Sequence, residues 1–379
     1  MASSQNTRGN DLAPAVRAAL VLFLLYLFLV GVGLLEKGIA TLGAGFQAGL
    51  LEQVSHPLAG LAAGILATVL VQSSSVSTAT IVGLVGAGTL TLPAAVPMIM
   101  GANIGTTVTS TLAALGSLRN RENFRRAFAG ATMHDMFNLL AVAILLPIEL
   151  ATKVLSRSAS WLTEVLRGTE VSAPGRSPIR QAVKYPVDAM HGAVTGTGVA
   201  DVIAAVTLLT VGLTLIFVAL ATITKNMRQL VAGNIERSMN RLVGRGGGTA
   251  GIGVGLMVTV AVQSSSITTA ILVPLVAAGV LTLRNAFPIT VGANIGTTIT
   301  ALLASLAVTR PEGLAIALVH TLFNLAALAL IYPVPFVRWL PVKAATWFAT
   351  QAANNRLLVV AYVGGVFILL PLAVVLILG

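Results

Sequence analysis

Hydrophobic residues run along this chain in long uncharged blocks, not in the short amphipathic periods of a soluble fold. Residues 18–35, 202–224, 313–337 and 357–379 contain no Asp, Glu, Lys or Arg, and neither does the stretch 53–118. A helix needs roughly 20 residues to cross a hydrocarbon core about 30 Å thick, so these blocks predict an all-α membrane protein.

Self-similarity then organises the blocks. Gln72-Ser73-Ser74-Ser75 returns as Gln263-Ser264-Ser265-Ser266, and Gly101-Ala102-Asn103-Ile104-Gly105-Thr106-Thr107 returns as Gly292-Ala293-Asn294-Ile295-Gly296-Thr297-Thr298, both displaced by 191 residues. Aligned without a gap, 60–116 and 251–307 share 32 identities in 57 positions. His134-x-x-Phe137-Asn138 is echoed by His320-x-x-Phe323-Asn324. The chain therefore reads as two copies of one unit: an N-terminal segment 1–17, repeat 1 over 18–150, a connecting segment 151–200, repeat 2 over 201–335, and a C-terminal segment 336–379 holding a last transmembrane helix.

Each unit has the same plan. An apolar span (18–35; 202–224) precedes a stretch split by Gln-Ser-Ser-Ser (57–92; 248–283). The two halves of that stretch are each about 15 residues, roughly 22 Å of helix, too short for two crossings; a re-entrant helical hairpin fits better. A span expected to unwind at Gly-Ala-Asn-Ile-Gly follows (94–116; 285–308), and then another apolar helix (127–150; 313–332). Gly and Asn both weaken a helix, and broken backbone at membrane depth survives where it lines a cavity. Three crossings per unit invert the second copy relative to the first, the plan of many secondary transporters.

Charge refines the topology. Only 9% of residues are charged against 56% hydrophobic, with a formal net charge of +11. The basic residues gather between spans, as the positive-inside bias predicts, so nucleic acid is not the expected partner. Arg119, Arg121, Arg125 and Arg126 are read as one cytoplasmic loop, and Lys225, Arg228, Arg237, Arg241 and Arg245 as another, with the N-terminus on the same side of an inner (plasma) membrane. Lys153, Arg157, Arg167, Arg176, Arg180 and Lys184 run against that bias, since 151–200 falls outside in this scheme; Trp339–Ala349 reads as loop or interfacial segment. The N-terminal residues, with Arg8, Asp11 and Arg17, carry no cleavage pattern and predict a retained first helix. Cysteine is absent, which excludes disulfides and thiolate chemistry.

The candidate chemistry sits in the repeated motifs. A serine that caps a helix leaves N–H groups facing an anion, while carbonyl, hydroxyl and amide oxygens suit a hard cation such as Na⁺. Small residues also serve simply for packing between membrane helices, but both motifs recur in both copies at one offset. His134, His320, Asn138, Asn324 and Asp135 lie in apolar helices and are candidates for supporting roles, Asp135 because an ionisable residue in a span is functional by default. No nucleotide-binding or metallohydrolase motif is present, so no enzyme activity and no cofactor beyond a coupling ion is expected.

Val71-Gln72-Ser73-Ser74-Ser75, Pro97 through Thr106, Arg125 through Asp135, the second Gln-Ser-Ser-Ser and Gly-Ala-Asn-Ile-Gly-Thr-Thr, and His320 through Pro333 together resemble the type II sodium–phosphate cotransporter family, over roughly residues 15–379. The resemblance implies Na⁺-driven import of inorganic phosphate by alternating access. It implies phosphate contacts from Ser73, Ser74, Ser264, Ser265 and Arg121, and a part in sodium binding or in the site wall for Gln72, Gln263, Ser266, Thr297 and Thr298; Ser75, Asn103, Thr106, Thr107, Thr269 and Asn294 complete the candidate sodium set. The short, cysteine-free connection between the halves fits a bacterial-type member, and Asn120 stands where electrogenic members carry Asp. The resemblance also places both termini in the cytoplasm, whereas the crossing count leaves the C-terminus outside. The alternatives left open are a sodium-coupled carrier of another small anion (sulfate, arsenate or a dicarboxylate) and an anion channel. Monomer and homodimer are equally compatible with the sequence.

Overall fold

The computed structural model describes residues 14–168, 178–243 and 248–379, with the side chains of 14–15, 168 and 228–243 left undescribed. Arg8, Asp11, Arg176 and Arg245, and the side chains of Arg228, Arg237 and Arg241, therefore lie outside the described residues.

Every regular element among the described residues is helical. The first copy comprises α1 (Pro14–Thr41), α2 (Gly43–Gln53), α3 (Pro57–Val71), α4 (Ser74–Gly86), α5 (Leu92–Gly105), α6 (Val108–Ala114) and α7 (Arg121–Thr152). Two amphipathic helices follow, α8 (Val154–Gly168) and α9 (Pro178–Thr195). The second copy comprises α10 (Asp201–Val243), α11 (Gly248–Val262), α12 (Ser265–Ala277), α13 (Leu283–Ser305) and α14 (Pro311–Ile331). The chain closes with α15 (Pro335–Arg338), α16 (Leu340–Asn354), α17 (Leu357–Gly364) and α18 (Leu370–Leu378), the last two joined by a π-helical turn at Gly365–Leu369. Among the described residues, seven helices are long and apolar enough to cross a membrane: Val16–Thr41, Leu92–Ser117, Arg121–Thr152, Asp201–Met227, Leu283–Ser305, Pro311–Ile331 and Leu357–Leu378. An eighth candidate is the pair α2 and α3, bent by 104°.

The copies interlock. Their first helices, α1 and α10, pack together where Gly31 and Gly212 bring the backbones into contact. Helix α4 of the first copy packs on α13 and α14 of the second, and α12 of the second packs on α6 and α7 of the first. One apolar core runs through both, with Phe28, Phe128, Phe137, Phe287 and Phe323 fully buried.

The expected unwinding at Gly-Ala-Asn-Ile-Gly is absent. Gly101–Gly105 belongs to α5, only Thr106 and Thr107 interrupt the span, and in the second copy α13 runs unbroken from Leu283 to Ser305. The glycines have a different cause. A Cβ on Gly101 would run into the Leu61 carbonyl and one on Gly64 into the Met98 carbonyl; in the second copy Gly292 and Gly255 meet the Ile252 and Ile289 carbonyls in the same way. Small residues let two membrane helices approach backbone to backbone, and here they clamp α3 to α5 and α11 to α13.

Two further expectations give way. Residues 225–243 are not a basic loop but the continuation of α10. Arg125 and Arg126 lie in the opening turns of α7, where Asn120 caps the helix and Glu122 accepts from both guanidinium groups, so only 118–120 separate the 3₁₀ turn Leu115–Ser117 from α7. Most of the connecting segment and of Trp339–Ala349 is helical, with α16 packed along α7, which fits an interfacial segment and not a loop at Trp339–Ala349.

Candidate functional site

The two Gln-Ser-Ser-Ser segments adopt one geometry. Gln72 and Gln263 each end a helix in the left-handed conformation, both with φ 56°. Ser73 and Ser264 follow in extended backbone at φ −152° and −155°. Each serine hydroxyl then caps the next helix, accepting from Val76 N at 3.3 Å and from Ile267 N at 3.4 Å. A non-glycine residue at positive φ costs of order 1 kcal/mol or more and persists where surroundings hold it. Here the hold is visible. Gln72 Nε2 donates to Val69 O (2.6 Å) and Gln263 Nε2 to Val260 O (2.7 Å), while Thr109 and Thr300 donate to the respective Oε1 atoms at 3.1 and 3.0 Å.

The turns meet across the copies. Ser75 Oγ donates to the Gln263 carbonyl at 3.3 Å and lies 3.5 Å from Thr300 Oγ1. Ser110 and Thr269 hydroxyls, one from each copy, are 2.7 Å apart. Two helix N-termini, those of α4 and α12, are thus brought close together with Ser74, Ser75 and Ser265 buried beside them. Free N–H groups and the helix dipole make such ends favourable for an anion.

Behind the turns lies a second, amide-rich layer, also shared between copies. His134 Nε2 donates to Asn294 Oδ1 (3.0 Å), Asn294 Nδ2 to Asn138 Oδ1 (2.7 Å), and Asn138 Nδ2 to the Asn103 carbonyl (2.8 Å). From the other side Asn324 Nδ2 reaches Asn103 Oδ1 at 3.4 Å. Each copy's His-x-x-Phe-Asn helix therefore serves the other copy's Gly-Ala-Asn-Ile-Gly. His320 is equally buried, yet neither of its ring nitrogens has a partner.

The threonines of both motifs spend their hydroxyl protons at home. Thr106, Thr107, Thr297 and Thr298 donate to Ala102, Ile104, Ala293 and Ile295 carbonyls at 2.9, 2.7, 3.1 and 2.8 Å, leaving oxygen lone pairs to accept. Ser266 supplies its carbonyl to Thr269. Arg121 is exposed, and its guanidinium donates to Asn354 on α16; no hydrogen bond links it to the serines.

Asp135 stands apart. It is fully buried, with Oδ2 accepting from Tyr362 OH at 2.9 Å and Thr111 Oγ1 at 3.4 Å, and Oδ1 has no partner. Glu149, the other buried carboxylate among the described residues, is satisfied by Leu155 N, Ser156 N and the Ser156 hydroxyl, which makes it the cap of α8. Buried polar atoms without partners are rare, and Asp135 Oδ1, Asn324 Oδ1 and Ser265 Oγ are three such oxygens on the motif-bearing helices. Oxygen donors of that kind fit a hard cation such as Na⁺, and no group of three His, Cys, Asp or Glu suited to a transition metal occurs among the described residues.

Reading the motifs alone misses five of these residues: Thr109, Ser110, Thr111, Thr300 and Tyr362. Thr109 and Thr300 repeat at the same 191-residue offset two positions beyond the motif, a signal present in the alignment. Thr111 and Tyr362 have no counterpart in the other copy and leave no such trace.

Comparison with known proteins shows the family. The model of a family described as Na⁺/Pi-cotransporter matches residues 27–163 and 215–332. The sheep sodium-dependent phosphate transport protein 2A is 32% identical over 94% of this chain and 67% of its own length. The rat protein of the same name is 33% identical over 94% and 67%, and the human sodium-dependent phosphate transport protein 2B is 32% identical over 98% and 67%. No solved structure gives a significant match. With its multiple membrane helices and paired polar turns, the chain belongs to the Na⁺/Pi-cotransporter family, whose members are transporters and not enzymes.

Proposed function

We propose that this protein is a sodium-coupled symporter that brings inorganic phosphate across the inner membrane by alternating access. The observation that carries the reading is the Ser75–Gln263 contact, which sets the N-termini of α4 and α12 side by side between the two copies. In this reading the copies are inverted-topology repeats, α3–α4 and α11–α12 are re-entrant hairpins with Gln72 and Gln263 at their tips, and the N-terminus is cytoplasmic. The helix lengths support it, since α3, α4, α11 and α12 have 15, 13, 15 and 13 residues, each short of a crossing.

Phosphate binds between the tips, met by Ser73, Ser74, Ser264 and Ser265 and by the free N–H groups above them. Sodium binds on the oxygen-rich side formed by Gln72, Gln263, Ser75, Ser266, Thr269 and the Asn103 and Asn294 segments. Sodium lowers the cost of bringing phosphate charge into low dielectric, and each ligand then binds better in the presence of the other, a reciprocal effect. The paired copies rock about the shared layer to expose the site to alternate sides.

Radiolabelled phosphate uptake into proteoliposomes, under an inward sodium gradient against a matched potassium gradient, tests the proposal. Sodium-dependent accumulation above equilibrium is expected, and Q72A/Q263A should weaken sodium activation. Equal uptake in both salts would overturn the coupled reading, and failure of excess phosphate to compete with labelled sulfate or dicarboxylate uptake would transfer it to another anion.

A further inference from the structure

We infer that the cavity between α1, α9 and the turn from α13 to α14 is a second anion site, taking a phosphate-bearing group and separate from the layer shared by the two copies. The cavity has a volume of about 540 Å³. Five cationic side chains line it, from Lys37, Arg167, Arg180, Lys184 and Arg310, against two carboxylates. Both carboxylates are engaged: Asp188 pairs with Lys37 at 3.3 Å, and Glu36 Oε1 accepts from Thr309 N and Oγ1 at 3.3 and 2.6 Å.

Arg180 Nε is buried with no acceptor in the protein, although a buried guanidinium N–H ordinarily has one. Arg310 lies against the turn after α4, where Gly88 has φ 78° and a Cβ would collide with the guanidinium, so the missing side chain makes room for the arginine. Val183 and Val187 supply an apolar wall, and a low-dielectric wall strengthens the field of the charges beside it. Guanidinium groups match the oxygens of phosphate in a forked geometry that lysine lacks. A free phosphate and the headgroup of an acidic phospholipid present the same chemistry to this cavity.

Binding of labelled inorganic phosphate to the full chain in nanodiscs, measured in sodium-free choline buffer at low ionic strength, tests the site. In phosphatidylcholine discs the wild type should bind phosphate, and R180Q/K184Q should bind at least tenfold more weakly while keeping its sodium-driven uptake rate. Discs containing phosphatidylglycerol separate the sources. Blocked phosphate binding, with phosphatidylglycerol retained by wild type but not by the variant in native mass spectrometry, assigns the cavity to the headgroup; unblocked binding assigns it to free phosphate. If R180Q/K184Q fails to fold, the exposed-residue variant R310Q carries the same comparison. No sodium-free phosphate binding and no retained lipid in wild type, or binding and retention unchanged in a folded variant, would overturn the inference. Absence of sodium dependence in uptake would sink the symport reading and leave this binding intact.

Discussion

The two copies share the geometry of their glutamine turns but not an environment. In the first, the span after α4 breaks at Thr106–Thr107 and Asp135 stands near the break; in the second, α13 is continuous and Thr321 takes the place of the acid. Gln72 is exposed at its turn, whereas Gln263 is 9% exposed and its carbonyl is engaged by Ser75. His134 is hydrogen-bonded to Asn294, and His320 has no partner. What the copies have in common, then, is the clamp of small residues and the strained glutamine turn. What differs is charge. The duplicated frame is shared by both copies, and the buried carboxylate of Asp135 belongs to the first alone.

The largest test attacks what is common. G101L and G292L should each abolish a monodisperse peak in fluorescence-detected size exclusion, because a side chain at either position meets a backbone carbonyl that cannot move aside. Overpacking ordinarily costs about 1–3 kcal/mol, and a backbone collision exceeds that range. Unequal outcomes for the two variants would break the equivalence of the clamps.

The next test attacks what differs. D135N should raise the sodium concentration for half-maximal uptake by about a hundredfold or more, since it removes the charged acceptor of two buried hydroxyls, Tyr362 and Thr111, and each hydrogen bond to a charged group contributes about 1.5–3 kcal/mol. Y362F should do the same more weakly, by about tenfold, because hydrogen bonds to charged groups contribute about 1.5–3 kcal/mol and part of the loss is recovered by Thr111. The swap D135T/T321D should not restore activity, as Tyr362 bonds the first copy's carboxylate alone. A functional swap would show that the charge, not its place, matters.

Much of this architecture was readable from residues, and the failures have physical causes. The 191-residue offset exposed the duplication because packing and cap geometry demand the same side chains twice: Gly64 with Gly255, Ser73 with Ser264. The glycines misled because helix weakness and close backbone approach leave the same mark in a sequence; only the Leu61 and Ile252 carbonyls distinguish them. The extension of α10 to Val243 was hidden because its polar end carries the charge of a loop. Tyr362 was invisible because it comes from outside the repeat, on a helix with no internal counterpart. Thr109 and Thr300 were visible and passed over, two residues beyond a motif boundary that the fold does not respect.

Those threonines give the finest test of the comparison. Thr300 is buried and holds Gln263 Oε1 at 3.0 Å while touching Ser75; Thr109 is half-buried and holds only the exposed Gln72, at 3.1 Å. Valine removes the hydroxyl at nearly constant shape. In T109V water replaces the lost donor, and the change should be under threefold in KM for phosphate, since a net neutral hydrogen bond contributes only about 0.5–1.5 kcal/mol. In T300V the Gln263 oxygen is left buried and unpaired, which costs about 1–3 kcal/mol, and KM should rise about tenfold. Because Thr300 also faces Ser75 of the other copy, S75A and T300V should combine to less than the sum of their separate effects, as coupled neighbours do. Additive effects would mean that the two turns act independently and that the contact between them is only packing.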